Sequence, residues 1–225
     1  MPTRFEIYTP IHKGLRRCLS LLAIKAGKLD CENHEVLQKL NDGIRTHAAL
    51  VELHHMLEER FIHPMLNAKV PGGAEILEEE HRIVTHLLDN LIAYAARMEG
   101  EPERQALREL GFECYLALNR FIAFFWNHLD REEEHAQPTL WRFYTDAELA
   151  KPFNQLLAAQ SPDQARANLE LIFAASNVSD IVAEFKHVDV RALPNEQPNA
   201  LTLAKQVLSA DEWSALKSRL ELPNV

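Results

Sequence analysis

The sequence contains little glycine, few cysteines and no long uncharged apolar run. Seven glycines among 225 residues are typical of long helices and argue against a turn-rich β fold. The three cysteines, Cys18, Cys31 and Cys114, are odd in number and form no C-x-x-C pair. A disulfide scaffold and a thiolate zinc site are therefore not expected.

Positive charge is also scarce. Lys and Arg number 24 against 33 Asp and Glu, which gives a net charge of −9. Because nucleic acids and anionic membranes are bound by clustered Lys and Arg, we expect neither as a partner. The N-terminal residues MPTRFEIYTP lack the apolar core of a signal peptide, and no stretch of about 18 uncharged apolar residues occurs. These observations predict a soluble cytoplasmic protein.

Helix signals, in contrast, run through the whole chain. Thr9 and Pro10 predict the start of the first helix, Gly43 is a point where the second could be interrupted, and Pro64 lies near its end. The predicted long helices cover approximately residues 9–27, 33–65, 74–98 and 103–137. Joined by short connections, they predict an all-α fold, with an antiparallel four-helix bundle over residues 1–145.

Residues 146–225 are predicted to form a helical C-terminal extension. Helix starts with capping boxes begin at Thr145, Ser161 and Ser209, and the Pro- and Asn-rich residues 186–199 predict a loop. We expect this extension to pack on the bundle, or to provide a surface for a protein partner or a second copy of the chain.

Eleven histidines are the unusual feature of the composition, and most lie before residue 136. Residues 54–66, HHMLEERFIHPML, and 128–140, HLDREEEHAQPTL, both contain His-x-x-x-Glu followed by Pro-x-Leu at the same distance. Positions four apart share one helix face, so each segment can direct an imidazole and a carboxylate toward one point. Carboxylates can bridge two metal ions, and imidazole binds iron, copper, nickel and zinc.

Helical periodicity separates the inward histidines and glutamates from the outward ones. At about 100° per residue, one histidine per long helix and two glutamates lie on or beside the apolar stripes: His12, His54, Glu58, His81, His128 and Glu132. Five neighbours fall outside these stripes: His55, Glu59, His63, His86 and Glu133. Because a buried carboxylate without a partner is costly, the inward set predicts a cation between the helices.

The remaining histidines receive simpler interpretations. His47 and His135 lie on inward faces, and we expect each to support a ligand or to pack in the core rather than to bind metal. His55, His63 and His86 are expected to be solvated. His34 and His187 lie outside the bundle faces.

A ferritin-like di-iron site is the nearest alternative for the same helices. Such a site uses Glu-x-x-His pairs on two helices with single glutamates on the others. The chain contains the pairs Glu52–His55, Glu78–His81 and Glu132–His135. In the first two pairs the members do not share the inward stripe, and the first helix offers His12 where that site needs a glutamate. This alternative therefore ranks lower.

The segments IHKGLR at 11–16, EEEHRIV at 78–84 and the two His-x-x-x-Glu segments resemble the hemerythrin-like, or HHE cation-binding, proteins of bacteria. The resemblance covers roughly residues 5–145 and extends to LWRFYTDAEL at 140–149. It implies two iron ions with an oxo or hydroxo bridge, with zinc or manganese as alternatives, and Glu58 and Glu132 as bridging carboxylates. The implied ligands are His12, His54, Glu58, His81, His128 and Glu132.

One departure from the family affects the expected function. Oxygen-carrying hemerythrins place two histidines four residues apart on the third helix, whereas this chain has Arg82 four residues before His86. Losing that pair favours sensing or redox chemistry over reversible oxygen carriage. The resemblance thus implies a non-haem di-iron protein that binds or reacts with O₂, NO or peroxide, in a binding or sensing role rather than as an enzyme.

Two other interpretations stay open at the sequence level. The first is a helical interaction module that zinc or iron holds together without redox chemistry. The second is a metal-free bundle whose polar core is satisfied by its own hydrogen bonds.

Overall fold

A computed structural model describes residues 4–187 and 200–222, and all regular secondary structure within them is helical. The predicted all-α class is therefore confirmed. The α-helices are α1 (Thr9–Gly27), α2 (His34–Phe61), α3 (His63–Lys69), α4 (Glu75–Gly100), α5 (Arg104–Arg131), α6 (Gln137–Phe143), α7 (Asp146–Ala158), α8 (Pro162–Ala175), α9 (Val178–His187), α10 (Ala200–Val207) and α11 (Ala210–Arg219). A π-helical turn, Glu132–Ala136, joins α5 to α6. Within the described residues, every helix is too short or too polar to span a membrane.

The helices fall into two compact units. One consists of Arg16–Glu132, and the other of the described residues in Met1–Leu15 and Glu133–Val225. The predicted domain division after residue 145 stays a prediction.

Within Arg16–Glu132, helices α2, α4 and α5 run in alternating directions. Near the start of α2, Asn41 Nδ2 donates to the Ala95 carbonyl near the end of α4, at 3.2 Å. At the opposite end of this unit, Arg131 Nε at the end of α5 donates to Glu80 Oε1 near the start of α4, at 2.8 Å. Each contact joins the start of one helix to the end of another, which is the arrangement of the predicted antiparallel bundle.

The part of α1 after Leu15 completes this bundle. A Cβ added at Gly43 of α2 would lie 3.0 Å from Leu22 Cδ1 of α1, so the missing side chain leaves room for Leu22. Helix α2 continues through Gly43, and the interruption considered from the sequence does not occur. On the α5 side, Arg16 Nη2 donates to Asp130 Oδ1 at 2.7 Å.

The apolar stripe predicted from the sequence for α4 is buried in the core of this unit. On α4, the buried side chains are those of Leu77, Val84, Leu88, Leu91 and Ala95. Burying one such Leu or Val side chain contributes about 1.5–3 kcal/mol. This stripe fixes the rotation of α4 about its axis and so decides which of its polar side chains face inward.

Two prolines divide the helices that carry the His-x-x-x-Glu segments. Helix α2 ends at Phe61 and α3 begins at His63, because Pro64 has no N–H to donate to the carbonyl four residues earlier. Helix α5 ends at Arg131, and the π turn precedes Pro138. The helices predicted as continuous over 33–65 and 103–137 are therefore each divided near their ends.

The second unit contains the helix starts predicted for the C-terminal region. All three capping boxes are present, at Thr145 with Glu148, Ser161 with Gln164 and Ser209 with Glu212. Helices α8 to α11 share an apolar core that includes Phe173, Ile181, Leu203 and Leu216. Of the predicted loop over 186–199, residues 186 and 187 end α9, and residues 188–199 lie outside the described residues.

The residues before α1 belong to the same unit and are fixed by α6 and α7. The Ile7 N–H donates to Gln137 Oε1 at 2.8 Å, and Trp141 Nε1 donates to the Phe5 carbonyl at 2.8 Å. Arg4 Nε donates to Asp146 Oδ1 at 2.7 Å.

Candidate metal centre

Glu58 and Glu132 are buried carboxylates in the unit Arg16–Glu132, with 3% and 0% of their surfaces exposed. Helix α2 places His54 one turn before Glu58, and its Nε2 lies 3.2 Å from Glu58 Oε1. Helix α5 places His128 one turn before Glu132, and its Nε2 lies 3.4 Å from Glu132 Oε1. The spacing of four residues therefore directs each imidazole toward its own carboxylate, as expected for one face of a helix.

His81 of α4 lies between the two carboxylates. Its Nε2 is 3.5 Å from Glu58 Oε2 and 3.9 Å from Glu132 Oε1. One ligand atom from each of Glu58, His81, His128 and Glu132 lies within 4.8 Å of the others, and all four side chains are buried. Three helices thus bring two oxygen and two nitrogen donors together, which is a donor set that can hold a metal ion.

Two further carboxylates, called the outer carboxylates below, contact His81 and His128 at Nδ1, the ring nitrogen away from Glu58 and Glu132. His81 Nδ1 lies 2.8 Å from Glu59 Oε1, and His128 Nδ1 lies 3.0 Å from Glu80 Oε2. Because an ionised carboxylate accepts a hydrogen bond, each Nδ1 carries the proton. Glu80 also accepts from Arg131, which holds its position. A carboxylate that fixes the tautomer and orientation of a histidine is the usual support of a metal-binding imidazole.

The electrostatics of this cluster favour positive charge. Burial alone lowers the pKa of His81, but the Glu132 and Glu58 carboxylates outweigh it and raise the pKa to about 10. For His128, burial again lowers the pKa, and Glu132 and Glu58 together with Glu80 raise it above the ordinary value. A divalent cation would replace the protons that these rings hold, because metal binding requires neutral imidazole.

His12 also belongs to the predicted set, but it lies in the compact unit formed by residues of Met1–Leu15 and Glu133–Val225. It is fully buried there, and its Nδ1 lies 2.9 Å from Glu133 Oε1. The Glu133 carboxylate therefore lies beside Nδ1 of His12 in the same way that the Glu59 carboxylate lies beside Nδ1 of His81. The metal-binding role of His12, like that of the whole predicted set, stays a prediction.

The prediction that His55 and His63 are solvated is wrong. Their exposed fractions are 5% and 1%, and burial lowers the pKa of each ring below its ordinary value. His55 is buried because its ring lies against His81 of α4 and Phe125 of α5, so the buried arc of α2 is wider than the single stripe used for the prediction. His63 is buried because the break before α3 changes the rotation of every residue that follows it.

The other histidines give a mixed result. His86 and His34 are exposed, as predicted. His135 is also exposed, and the prediction of an inward position is wrong, because His135 lies inside the π turn, where the angle per residue differs from that of an α-helix. His47 is half-buried, with its Nδ1 2.6 Å from the Gly43 carbonyl. The side chain of His187 lies outside the described residues.

Sequence reasoning also missed the outer carboxylates. Glu59 and Glu80 lie next to predicted ligands in the chain, and Glu59 was placed outside the apolar stripe of its helix. The signal that could have found them is local: Glu59 immediately follows Glu58, and Glu80 immediately precedes His81. On neighbouring antiparallel helices, such residues lie at the rim of the inward face and can reach across to a ring on the next helix.

Long antiparallel helices that surround buried carboxylates and carboxylate-supported imidazoles define a helical metal-binding protein. The sequence profile of the hemerythrin HHE cation-binding domain matches residues 3–140, which is more than half of the 225-residue chain. The chain therefore belongs to the hemerythrin HHE cation-binding domain family. No match is found among curated proteins or among solved structures.

Proposed function

We propose that this protein binds a pair of iron ions and reacts with or reversibly binds O₂, NO or peroxide, in sensing or in a redox stress response. The observation that carries the proposal is the pair of buried carboxylates, Glu58 and Glu132, with His81 between them at 3.5 and 3.9 Å. Two carboxylates in one cluster of imidazoles can bridge two metal ions, and nitrogen and oxygen donors together suit iron.

The roles of the chain's own residues follow from their contacts. Glu58 and Glu132 would hold the metal pair, and His54, His81 and His128 would bind through Nε2. Glu59 and Glu80 would keep the proton of the last two rings on Nδ1, so that Nε2 offers a lone pair. When bound, the metal pair would supply the change of oxidation state and an open position for the small ligand.

Phe125 would protect this site from water. It is completely buried. Its ring is nearly parallel to that of His128, at a centroid distance of 6.0 Å, and nearly perpendicular to that of His54, at a centroid distance of 6.5 Å. An apolar ring on this side of the cluster lowers the local dielectric and strengthens the interaction of a cation with the carboxylates.

The test is the metal content and ligand response of the purified protein. After anaerobic loading with Fe(II) and air oxidation, we expect about two irons per chain and visible absorption that changes on adding NO or peroxide. After the same loading, the variants Glu58→Ala and Glu132→Ala should bind less iron than the wild type. The surface variant His86→Ala should bind as much iron as the wild type. A colourless wild-type protein that holds a single zinc would instead support the metal-stapled interaction module.

The partner proposed for this function is the small ligand itself. A contact with another protein or with a second copy of the chain through residues 146–225 stays a prediction.

A further inference from the structure

Two of the three cysteines lie close together in the unit Arg16–Glu132. Cys31 is half-buried in the connection between α1 and α2, and Cys114 is fully buried on α5. A Cβ added at Gly111 of α5 would lie 2.7 Å from Cys31 Sγ. Because Gly111 has no side chain, the Cys31 thiol lies directly against the backbone of α5.

Cys114 shares this face of α5. It follows Gly111 by three positions, and side chains at that spacing are neighbours on a helix, with Cβ atoms about 5–6 Å apart. A helical side chain also leans toward the preceding turn, so the Cys114 thiol is directed toward the place that Cys31 occupies beside Gly111. The pKa of Cys114 agrees with this proximity, since burial and then the charge of Cys31 raise it to about 11.

A surface cavity of about 550 Å³ gives access to Cys31. Its lining also includes Arg108, Phe112 and Tyr115 of α5. Arg108 pairs with Glu32, the residue that follows Cys31 in the chain. A small molecule can therefore reach Cys31 from the cavity, whereas Cys114 is shielded from solvent.

We propose that Cys31 and Cys114 form a reversible disulfide when the protein meets a hydroperoxide. In the first step, the Cys31 thiolate attacks a peroxide oxygen. An S–O bond forms and the O–O bond breaks, so the sulfur is oxidised to a sulfenic acid and the peroxide is reduced to water or an alcohol.

In the second step, the Cys114 sulfur attacks Sγ of Cys31. The S–S bond forms, the S–O bond breaks, and the leaving hydroxide combines with the Cys114 proton as water. Two thiols and one peroxide thus give one disulfide, one water, and the water or alcohol from the peroxide. Cys31 lies in a turn outside the helices, so its backbone can approach α5 without breaking a helix.

The environment of Cys31 sets the conditions for this reaction. Burial and then the Asp30 carboxylate raise the pKa of the Cys31 thiol above the ordinary 9.0, and Arg108 opposes them. Because the thiolate is the nucleophile, the rate of the first step should rise about tenfold per pH unit below this pKa. At neutral pH the pair therefore stays reduced in low peroxide and reacts on strong or prolonged exposure.

Cys18 provides a control thiol. It is buried on α1 at 8% exposure, about 14 Å along that helix from Gly27, which faces Tyr115 of α5. A disulfide needs Cβ atoms about 4 Å apart, so Cys18 is too far from this end of α5. The proposed metal ions are also distant, because His128 lies about 21 Å beyond Cys114 along α5. The disulfide is therefore independent of the proposed metal chemistry.

The experiment treats the full chain with hydrogen peroxide and counts free thiols with a thiol-reactive label after unfolding. The wild type should fall from three free thiols to one, and a reductant should restore all three. Peptide mass spectrometry should find Cys31 linked to Cys114. Cys18→Ser should form the same link and keep no free thiol. Cys31→Ser should keep both of its thiols, and Cys114→Ser should leave a sulfenic acid at Cys31 that dimedone traps.

Gly111→Ala tests the geometry with all three cysteines in place. The added methyl group takes the space against which Cys31 Sγ packs, so the thiol must move away and the link should form more slowly than in the wild type. Circular dichroism of the reduced variants checks folding. If Gly111→Ala does not fold, the three serine variants decide.

Several outcomes would overturn the proposal. They are three free thiols in the treated wild type, a link that includes Cys18 or joins two chains, wild-type loss of thiols in Cys31→Ser, or a wild-type rate in folded Gly111→Ala. Chelator-treated and iron-loaded wild type are compared in parallel, and a loss of thiols confined to the iron-loaded sample would overturn direct reaction of the peroxide with Cys31.

Discussion

Glu59 and Glu80 have the same side chain as Glu58 and Glu132, but they contact the histidines of the candidate site on the side away from Glu58 and Glu132. The inner pair lies against Nε2 of the histidines, and the outer pair lies against Nδ1 of His81 and His128. The outer carboxylates differ in exposure, since the Glu59 side chain is 50% exposed and that of Glu80 is 14% exposed. The hydrogen bond from His128 to Glu80 is therefore better shielded from water than the bond from His81 to Glu59.

At the residue scale, we predict that Glu80→Gln lowers metal affinity by about 10- to 100-fold. The amide can no longer hold the His128 proton on Nδ1 as a carboxylate does, and Arg131 loses the negative charge of its partner. Glu59→Gln should have a smaller effect in the same direction, because water already competes for its bond to His81. Chelator competition measures both.

Glu79→Gln is the matched control, because Glu79 lies in the same acidic run and pairs only with Arg82 among the contacts recorded for it. Its affinity should equal that of the wild type. Equal affinities in Glu80→Gln and Glu79→Gln would contradict the supporting role of Glu80.

At the scale of the element, the two His-x-x-x-Glu segments show how identical spacing can lead to different backbones. Both have a proline ten residues after the histidine. In the first, the chain breaks at Ile62 and restarts as α3, and in the second it continues through the π turn. The spacing predicts which face of the helix carries His and Glu. It does not predict whether the helix breaks before the proline or continues through a π turn.

This difference explains how far the site could be predicted. His54, Glu58, His81 and His128 lie on regular α-helices and Glu132 is the first residue of the π turn, so a constant angle per residue placed each of them correctly inside the bundle. His63 follows the break at Ile62 and His135 lies inside the π turn, and the same angle placed both of them wrongly. His55 lies beside the apolar stripe, and the burial of such a residue depends on how many helices pack against its own. Periodicity gives no information on that number.

Helix α9 supports a prediction about pH. Glu184 is half-buried near Glu6 and Asp180, and burial together with these two acids raises its pKa from the ordinary 4.5 to about 8. Between these values the unfolded chain releases the proton and the folded protein retains it. The contribution of Glu184 to stability is therefore fully present below about pH 4.5 and is lost as the pH rises to about 8.

Glu184→Gln removes this dependence, because glutamine keeps the neutral shape and cannot ionise. Its melting temperature should equal that of the wild type near pH 4.5 and exceed it at pH 8. Thermal unfolding followed by circular dichroism across this range measures the difference. The exposed Glu170 on α8 gives the control variant Glu170→Gln, which removes one carboxylate from the surface. Parallel curves for Glu184→Gln and wild type would contradict the assignment.

At the scale of the whole molecule, metal binding should contribute to stability. An ion that binds only the folded state, at a free concentration about 1,000 times its Kd, adds about 4 kcal/mol to the free energy of unfolding. For a chain of this length that corresponds to a rise in melting temperature of roughly 8–16 °C. Differential scanning calorimetry before and after chelation, with metal analysis of each sample, tests this. An unchanged melting temperature after complete metal removal would argue against a buried site.

The fold class was predictable at this scale because low glycine content, helix caps and apolar stripes all agree. The division into compact units was not, because Thr9–Gly27 is one continuous helix whose first residues belong to one unit and whose later residues belong to the other. Sequence signals mark where helices begin and end. They do not indicate a boundary between compact units that falls inside a helix.

The π turn that begins at Glu132 has a consequence for evolutionary comparison. A π-helical turn holds one residue more than an α-helical turn, so it absorbs a single-residue insertion without breaking the helix. Upstream of the turn the spacing of His128 and Glu132 stays intact, and downstream α6 resumes at Gln137. Alignments of relatives should therefore open a one-residue gap between these points in members with a regular helix. Forcing an ungapped alignment there would pair each residue of α6 with a neighbour of its true counterpart.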